Sequence, residues 1–404
     1  MNFDFHFIFY LFSGKIWYNN PKQKEAVMNQ KLKSMDIIKG IGIIMIIIVH
    51  NRHFLMQDMS GLRPLINYGQ MGCQLFFFVS GFSLCYAWEH LSEPRRTSKY
   101  ARFVLRRYLR LAPGFLFFMI IHFSLNILLI HVLNFPAGFI MNRTLPGILT
   151  NVFFLHGLFP DYINSVFPGG WYIGTAFLLY LAFPFLYGLA RRLRRLHPLC
   201  MAALPVLLLV LNVFLLDWIA DLSGQKLYLD NNTFLYFFFT NHLPCFSLGI
   251  VLFFQKSARF PLALSVLCFI VTTGFSVYWF LHPVSRTVYA LLPSLAGLSA
   301  YWLAVSFLYI ETRQKTLRGK RQHANPLTNF LAQCGRNSYG MYLAHPLVCW
   351  YGMRALNHFL TENNGTYKDL LLYGLLLIPS VFTVFVMGLY VEKLLTWTDR
   401  RLRH

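Results

Sequence analysis

Residues 34–53 read Ser-Met-Asp-Ile-Ile-Lys-Gly-Ile-Gly-Ile-Ile-Met-Ile-Ile-Ile-Val-His-Asn-Arg-His, an apolar run with charge at its entrance and imidazole near its far end. Such a run is a membrane-spanning helix with a polar interior position. At a rise of about 1.5 Å per residue, His50 lies roughly 21 Å beyond Asp36, past the midplane of a hydrocarbon core about 30 Å thick. An ionisable side chain at that depth is costly unless it faces protein or a wet cavity, so His50 is a candidate functional residue. A buried histidine bonded to a neighbouring helix is the plainer alternative. Asp36 and Lys39, three apart, share a helix face at the entrance. They suit either polar work there or a charged helix end.

Outward from this stretch, the composition agrees. Hydrophobic residues make up 56% of the 404 and charged residues only 13%, so the chain is an integral membrane protein with many spans. The net charge of +21 would suit nucleic acid, but the basic residues cluster between apolar segments, which is the pattern of membrane orientation. A lipid bilayer, not a nucleic acid, is the partner this implies. Seven cysteines without a CxxC or Cys/His cluster read as small buried hydrophobes, with neither a disulfide frame nor a metal site. The apolar piece at residues 5–12 is too short to span and lacks a basic leader. It is therefore not read as a signal peptide, and translation from Met28 is one hypothesis for the N-terminus.

Apolar segments of spanning length fall at 37–56, 71–88, 103–133, 171–190, 199–216, 233–254, 261–281, 287–309, 337–359 and 370–391, which predicts an all-α bundle of about ten spans. Residues 145–159 are an eleventh candidate. If they crossed, the run Arg191, Arg192, Arg194, Arg195 would face away from the other basic loops, against the positive-inside rule. Without that crossing, 29 of the 36 basic and 8 of the 15 acidic residues fall on one side, leaving seven of each elsewhere. Both termini are then expected in the cytoplasm, and residues 134–170 form an outer segment, re-entrant or interfacial. Residues 1–33 read as a cytoplasmic tail, 34–395 as the membrane domain and 396–404 as a basic tail.

Several short patterns follow in order. Met35-Asp36-Ile-Ile-Lys39-Gly-Ile leads, ten residues after Lys39, to His50. Phe76-Phe77-Phe78-Val79-Ser80-Gly81-Phe82 comes next, then Arg106-Arg107-Tyr-Leu-Arg110-Leu-Ala-Pro113. Trp171-Tyr-Ile with Tyr180 and Pro184 precedes the late Ser338-Tyr339-Gly-Met-Tyr342-Leu-Ala-His345. Together, over about residues 34–392, they resemble the acyltransferase-3 family of integral membrane acyltransferases. Two positions depart from its pattern. Lys39 stands where arginine is usual, keeping the charge and losing the planar fork; Ala176 stands where many members have glutamate.

The resemblance implies a multi-pass membrane O-acyltransferase of the cell (plasma or inner) membrane. It implies acyl-CoA as the donor, with acetyl-CoA the expected form, and a hydroxyl of an envelope or exported carbohydrate as the acceptor. His50 is then the general base or the covalent acyl carrier, with Asp36 and Lys39 as its catalytic partners at the entrance. Arg107 and Arg110, sharing one helix face, become ligands of the donor's phosphates, though spacing alone allows positive-inside anchors. Further cavity candidates are Ser80, Trp171, Tyr342 and His345. The plain alternatives are packing for Ser80, an interfacial anchor for Trp171 and inter-helix hydrogen bonding for Tyr342 and His345. Asn241 and His242 are a weaker case of the same kind, and His122 and His131 read as structural. A transporter or flippase of a sugar or lipid-linked glycan is the rival, although no paired repeat with broken helices is visible.

Overall fold

The computed structural model describes residues 32–51, 63–91, 95–132, 144–166, 168–223, 234–255, 260–282, 286–317, 325–352 and 370–401. The candidate start at Met28 and the basic tail beyond Arg401 lie outside these residues. Among the described residues every regular element is helical. The main ones are α1 (Lys33–His50), α2 (Gly72–Glu89), α3 (Arg96–Ile127), α4 (Leu145–Val152), α5 (Trp171–Leu196) and α6 (Pro198–Ser223). They continue with α7 (Leu243–Gln255), α8 (Leu262–Leu281), α9 (Arg286–Leu317), α10 (Pro326–Arg336), α11 (Ser338–Pro346) and α12 (Leu370–Arg401).

The described parts of the ten expected spans are helical. Seven helices among the described residues are long and apolar enough to cross a membrane. The other three fall short for reasons written in their sequences. Helix α1 carries Lys33, Asp36 and Lys39. The sixth segment breaks between Phe237 and Leu243, just before Pro244, and α11 runs past Pro346 into a π-helical turn at Leu347–Gly352. Helix α4 has only eight residues, about 12 Å of rise, too short to cross. It is capped by the Thr144 hydroxyl, which accepts from the Gly147 N–H.

The helices sort into interior and rim. In the apolar window that includes α2, 72% of residues are buried against protein, compared with 11% in α8. Apolar surface left outside by α6, α8 and α12 is what a bilayer covers. Lipid is as apolar as leucine, so helices in it associate through close packing of small residues and through polar contacts. Helices α2 and α7 meet in this way: a methyl group on Gly81 would collide with the Phe246 carbonyl, and one on Gly249 with the Phe78 carbonyl. Helices α1 and α10 do the same, with Gly40 on the Leu331 carbonyl and Gly335 on the Asp36 carbonyl. Ser306 donates to Ser265 at 3.0 Å, tying α9 to α8. At the break before α7, the Thr175 hydroxyl donates to the Phe237 carbonyl at 2.8 Å, supplying a partner the interrupted helix lacks.

Candidate active site

Pro346 sets the chemistry of the residue before it. Proline has no N–H, so the Tyr342 carbonyl four residues back lacks its helical donor. His345 Nδ1 takes that role by bonding to the Tyr342 carbonyl. A carbonyl can only accept, so in the neutral ring Nδ1 carries the proton and Nε2 is the free acceptor. His345 is 1% exposed, and its Nε2 is buried with no hydrogen-bond partner among the described residues.

His50, at the last position of α1, faces this ring. The two imidazole centroids are 4.9 Å apart with the planes tilted by 42°. His50 is half-buried, whereas Asn51, which follows it, is fully buried. The pair therefore brings together the first and ninth expected spans, nearly three hundred residues apart in sequence.

The outer segment reaches His345. Gly169 has a φ of +82°, a backbone conformation that disfavours a side chain. Its carbonyl accepts the Tyr342 hydroxyl at 2.7 Å. A Cβ there would lie 3.3 Å from the Tyr342 hydroxyl and 3.8 Å from His345 Nε2. The next carbonyl, of Gly170, is bonded by His156 Nε2 at 3.1 Å, and the His156 ring stacks on Phe115 at 5.9 Å. Burial pushes the His156 imidazole down to about 4, so it stays neutral as a structural clamp.

The remaining sequence candidates divide into three groups. The Tyr342 ring lies 4.7 Å from the Tyr172 ring with the planes tilted by 49°, and Tyr172 in turn meets the Ser80 side chain, so two tyrosines separate Ser80 from His345. Trp171 is 8% exposed and stacks on Phe237 at 4.5 Å with His242 beyond at 5.8 Å. That burial is the opposite of a lipid-facing interfacial anchor. Arg107 and Arg110 form the second group. The Arg107 guanidinium lies 5.6 Å from the Phe103 ring, its Nε buried without a hydrogen-bond partner, while Arg110 is 3.5 Å from Glu392.

Asp36 and Lys39 form the third, joined by a 2.8 Å ion pair with Arg336 at 4.0 Å. They sit against α10, at the opposite end of α1 from His50. Among the described residues no group of three or more His, Cys, Asp or Glu side chains could hold a metal ion. All seven cysteines are free thiols.

The family model for the acyltransferase domain of the acyltransferase-3 family matches residues 32–390, nearly the whole chain. The chain belongs to the acyltransferase-3 family. No curated protein and no solved structure matches it. It is thus a multi-pass membrane acyltransferase, and the transporter reading loses its footing.

Several residues of this acyltransferase's site carried no clear signal in the sequence. Gly169 is one of two consecutive glycines before Trp171, a weak turn signal. Tyr172, Glu392 and Arg336 acquire partners only through contacts between distant helices.

Proposed function

We propose that this acyltransferase transfers an acyl group, acetyl in the simplest case, from cytoplasmic acyl-coenzyme A to a hydroxyl of an envelope or exported carbohydrate outside the cell membrane. The observation that carries the reading is the facing pair His50 and His345, the latter with a buried, unbonded acceptor nitrogen. A neutral imidazole can take the proton of a hydroxyl as its oxygen attacks the thioester carbonyl and return it to the departing thiolate. It can also attack the carbonyl itself and hand the acyl group on. Both routes use His50, with His345 beside it and Tyr342 holding the outer segment in place.

Arg107 and Arg110 are assigned to the donor's phosphates. The positive-inside pattern supports entry of the donor from the cytoplasm. Asp36, Lys39 and Arg336 fix the entrance of α1 against α10. The test is incubation of membranes with labelled acetyl-CoA. The parent protein is expected to deposit label on glycan and His50→Ala to deposit none, at equal expression and equal unfolding temperature. Full transfer by the folded variant would overturn the assignment.

A further inference from the structure

An open cleft of about 600 Å³ lies away from the histidines, where the ends of α2 and α5 meet the start of α3. Its lining holds four cations, Lys99, Arg191, Arg194 and Arg195, and one carboxylate, Glu89. The Glu89 carboxylate accepts the Tyr187 hydroxyl at 2.9 Å, and none of the four cations forms an ion pair among the described residues. The aromatic residues Trp88, Tyr187 and Phe254 complete the wall. The Lys99 ammonium lies 4.7 Å from the Trp88 ring and the Arg194 guanidinium 5.4 Å from Phe254, so both charges are lodged at the wall before any ligand arrives.

We propose that this cavity binds the phosphorylated nucleotide end of the donor, a purine ribonucleotide carrying a phosphate monoester. The inference rests on the acyl-coenzyme A reading above and adds a site to it. Unpaired arginines match phosphate oxygens in bidentate geometry, and guanidinium and aromatic planes accept a base by stacking. Glu89 can accept from the exocyclic amino group of a base.

Helix α5 serves as a ruler. Tyr172 touches Tyr342, which in turn touches His345, Tyr180 lies near Arg107, and Arg191 lines the cleft. These levels are about 12 Å and about 28 Å from Tyr172 along the axis. An extended arm of about a dozen bonds spans roughly 14 Å at the reach of extended chain. A thioester at His50 therefore sets the donor's diphosphate near Arg107, and the cleft lies about 16 Å further along the same helix, on the side the nucleotide end faces.

The test uses the full chain in nanodiscs, with adenosine 3′,5′-bisphosphate and coenzyme A as calorimetric probes. Arg191→Gln with Arg194→Gln is expected to weaken both by at least 10-fold, whereas Arg192→Gln, outside the lining, leaves them unchanged. Removing the 3′-phosphate from coenzyme A should weaken its binding to the parent and not to the double variant. Unchanged affinity in a double variant with the parent's unfolding temperature overturns the proposal. So does loss of co-purified phosphatidylglycerol with nucleotide binding intact, which marks a lipid headgroup site. Acyl transfer from acetyl-coenzyme A that the bisphosphate does not compete overturns the cavity alone. Absence of both transfer and coenzyme A binding in the parent overturns the donor reading with it.

Discussion

The Tyr342 hydroxyl donates to the carbonyl of Gly169 at 2.7 Å, across 173 positions of sequence. Helix α11 thereby holds the outer segment beside His345. Tyr342→Phe leaves that carbonyl without its donor. A loss of about 1–3 kcal/mol is expected where the carbonyl is cut off from water. The unfolding midpoint in detergent measures it, and a midpoint equal to the parent's would show that the contact contributes nothing.

Gly169→Ala forces a side chain into the left-handed region at φ +82° and sets a methyl 3.3 Å from the Tyr342 hydroxyl. The backbone term alone is about 1–2 kcal/mol. Lower stability together with slower transfer of labelled acetyl is expected. A variant that keeps the parent's rate would free the outer segment from any part in the site.

His345→Ala removes the ring facing His50 while keeping His50 itself. Acyl transfer should fall by about 100-fold or more, the size of a lost proton-handling group. Single-turnover transfer on protein of unchanged unfolding temperature is the measurement. A rate within a few-fold of the parent would make His345 a packing residue.

Asp36→Asn separates the two jobs open to the entrance residues. The Lys39 and Arg336 side chains are 28% and 48% exposed, so the cluster is worth less than the 3–5 kcal/mol of a fully buried pair, about 1–2 kcal/mol. Expected is a lower denaturation midpoint, with transfer per folded molecule down by less than 10-fold. A loss as complete as that of His50→Ala would place Asp36 in the chemistry.

Arg107→Gln tests the donor's path. Losing charge-assisted hydrogen bonds to phosphate should raise the Kd for acyl-coenzyme A by about 10- to 100-fold. An unchanged Kd in titration of the purified protein removes Arg107 from the donor site.

Much of this architecture is legible in the chain. Apolar length, proline positions and basic clusters give the helices and their breaks, because each is a local requirement of a backbone in hydrocarbon. The short helix at Leu145–Val152 is legible for the same reason, through its length and the charge balance it would upset. The contrast between Trp171 and His345 shows where this stops. Tryptophan at a helix end reads as an interfacial anchor, but here it is buried, since Phe77 of α2 and the broken helix before Leu243 cover it. His345 reads as an ambiguous polar residue until Pro346 and Tyr342 are seen to fix its proton.

The sequence by itself determined a membrane-spanning helical chain, its family and the identity of the histidine in its first helix, because periodicity, hydropathy and motif spacing are properties of neighbouring residues. The tertiary structure alone decided that His50 meets His345, that Gly169 lies against His345, and that four cations converge with three aromatic residues at the ends of α2 and α5. Those are relations between helices, set by glycine contacts and side-chain packing that no local pattern encodes.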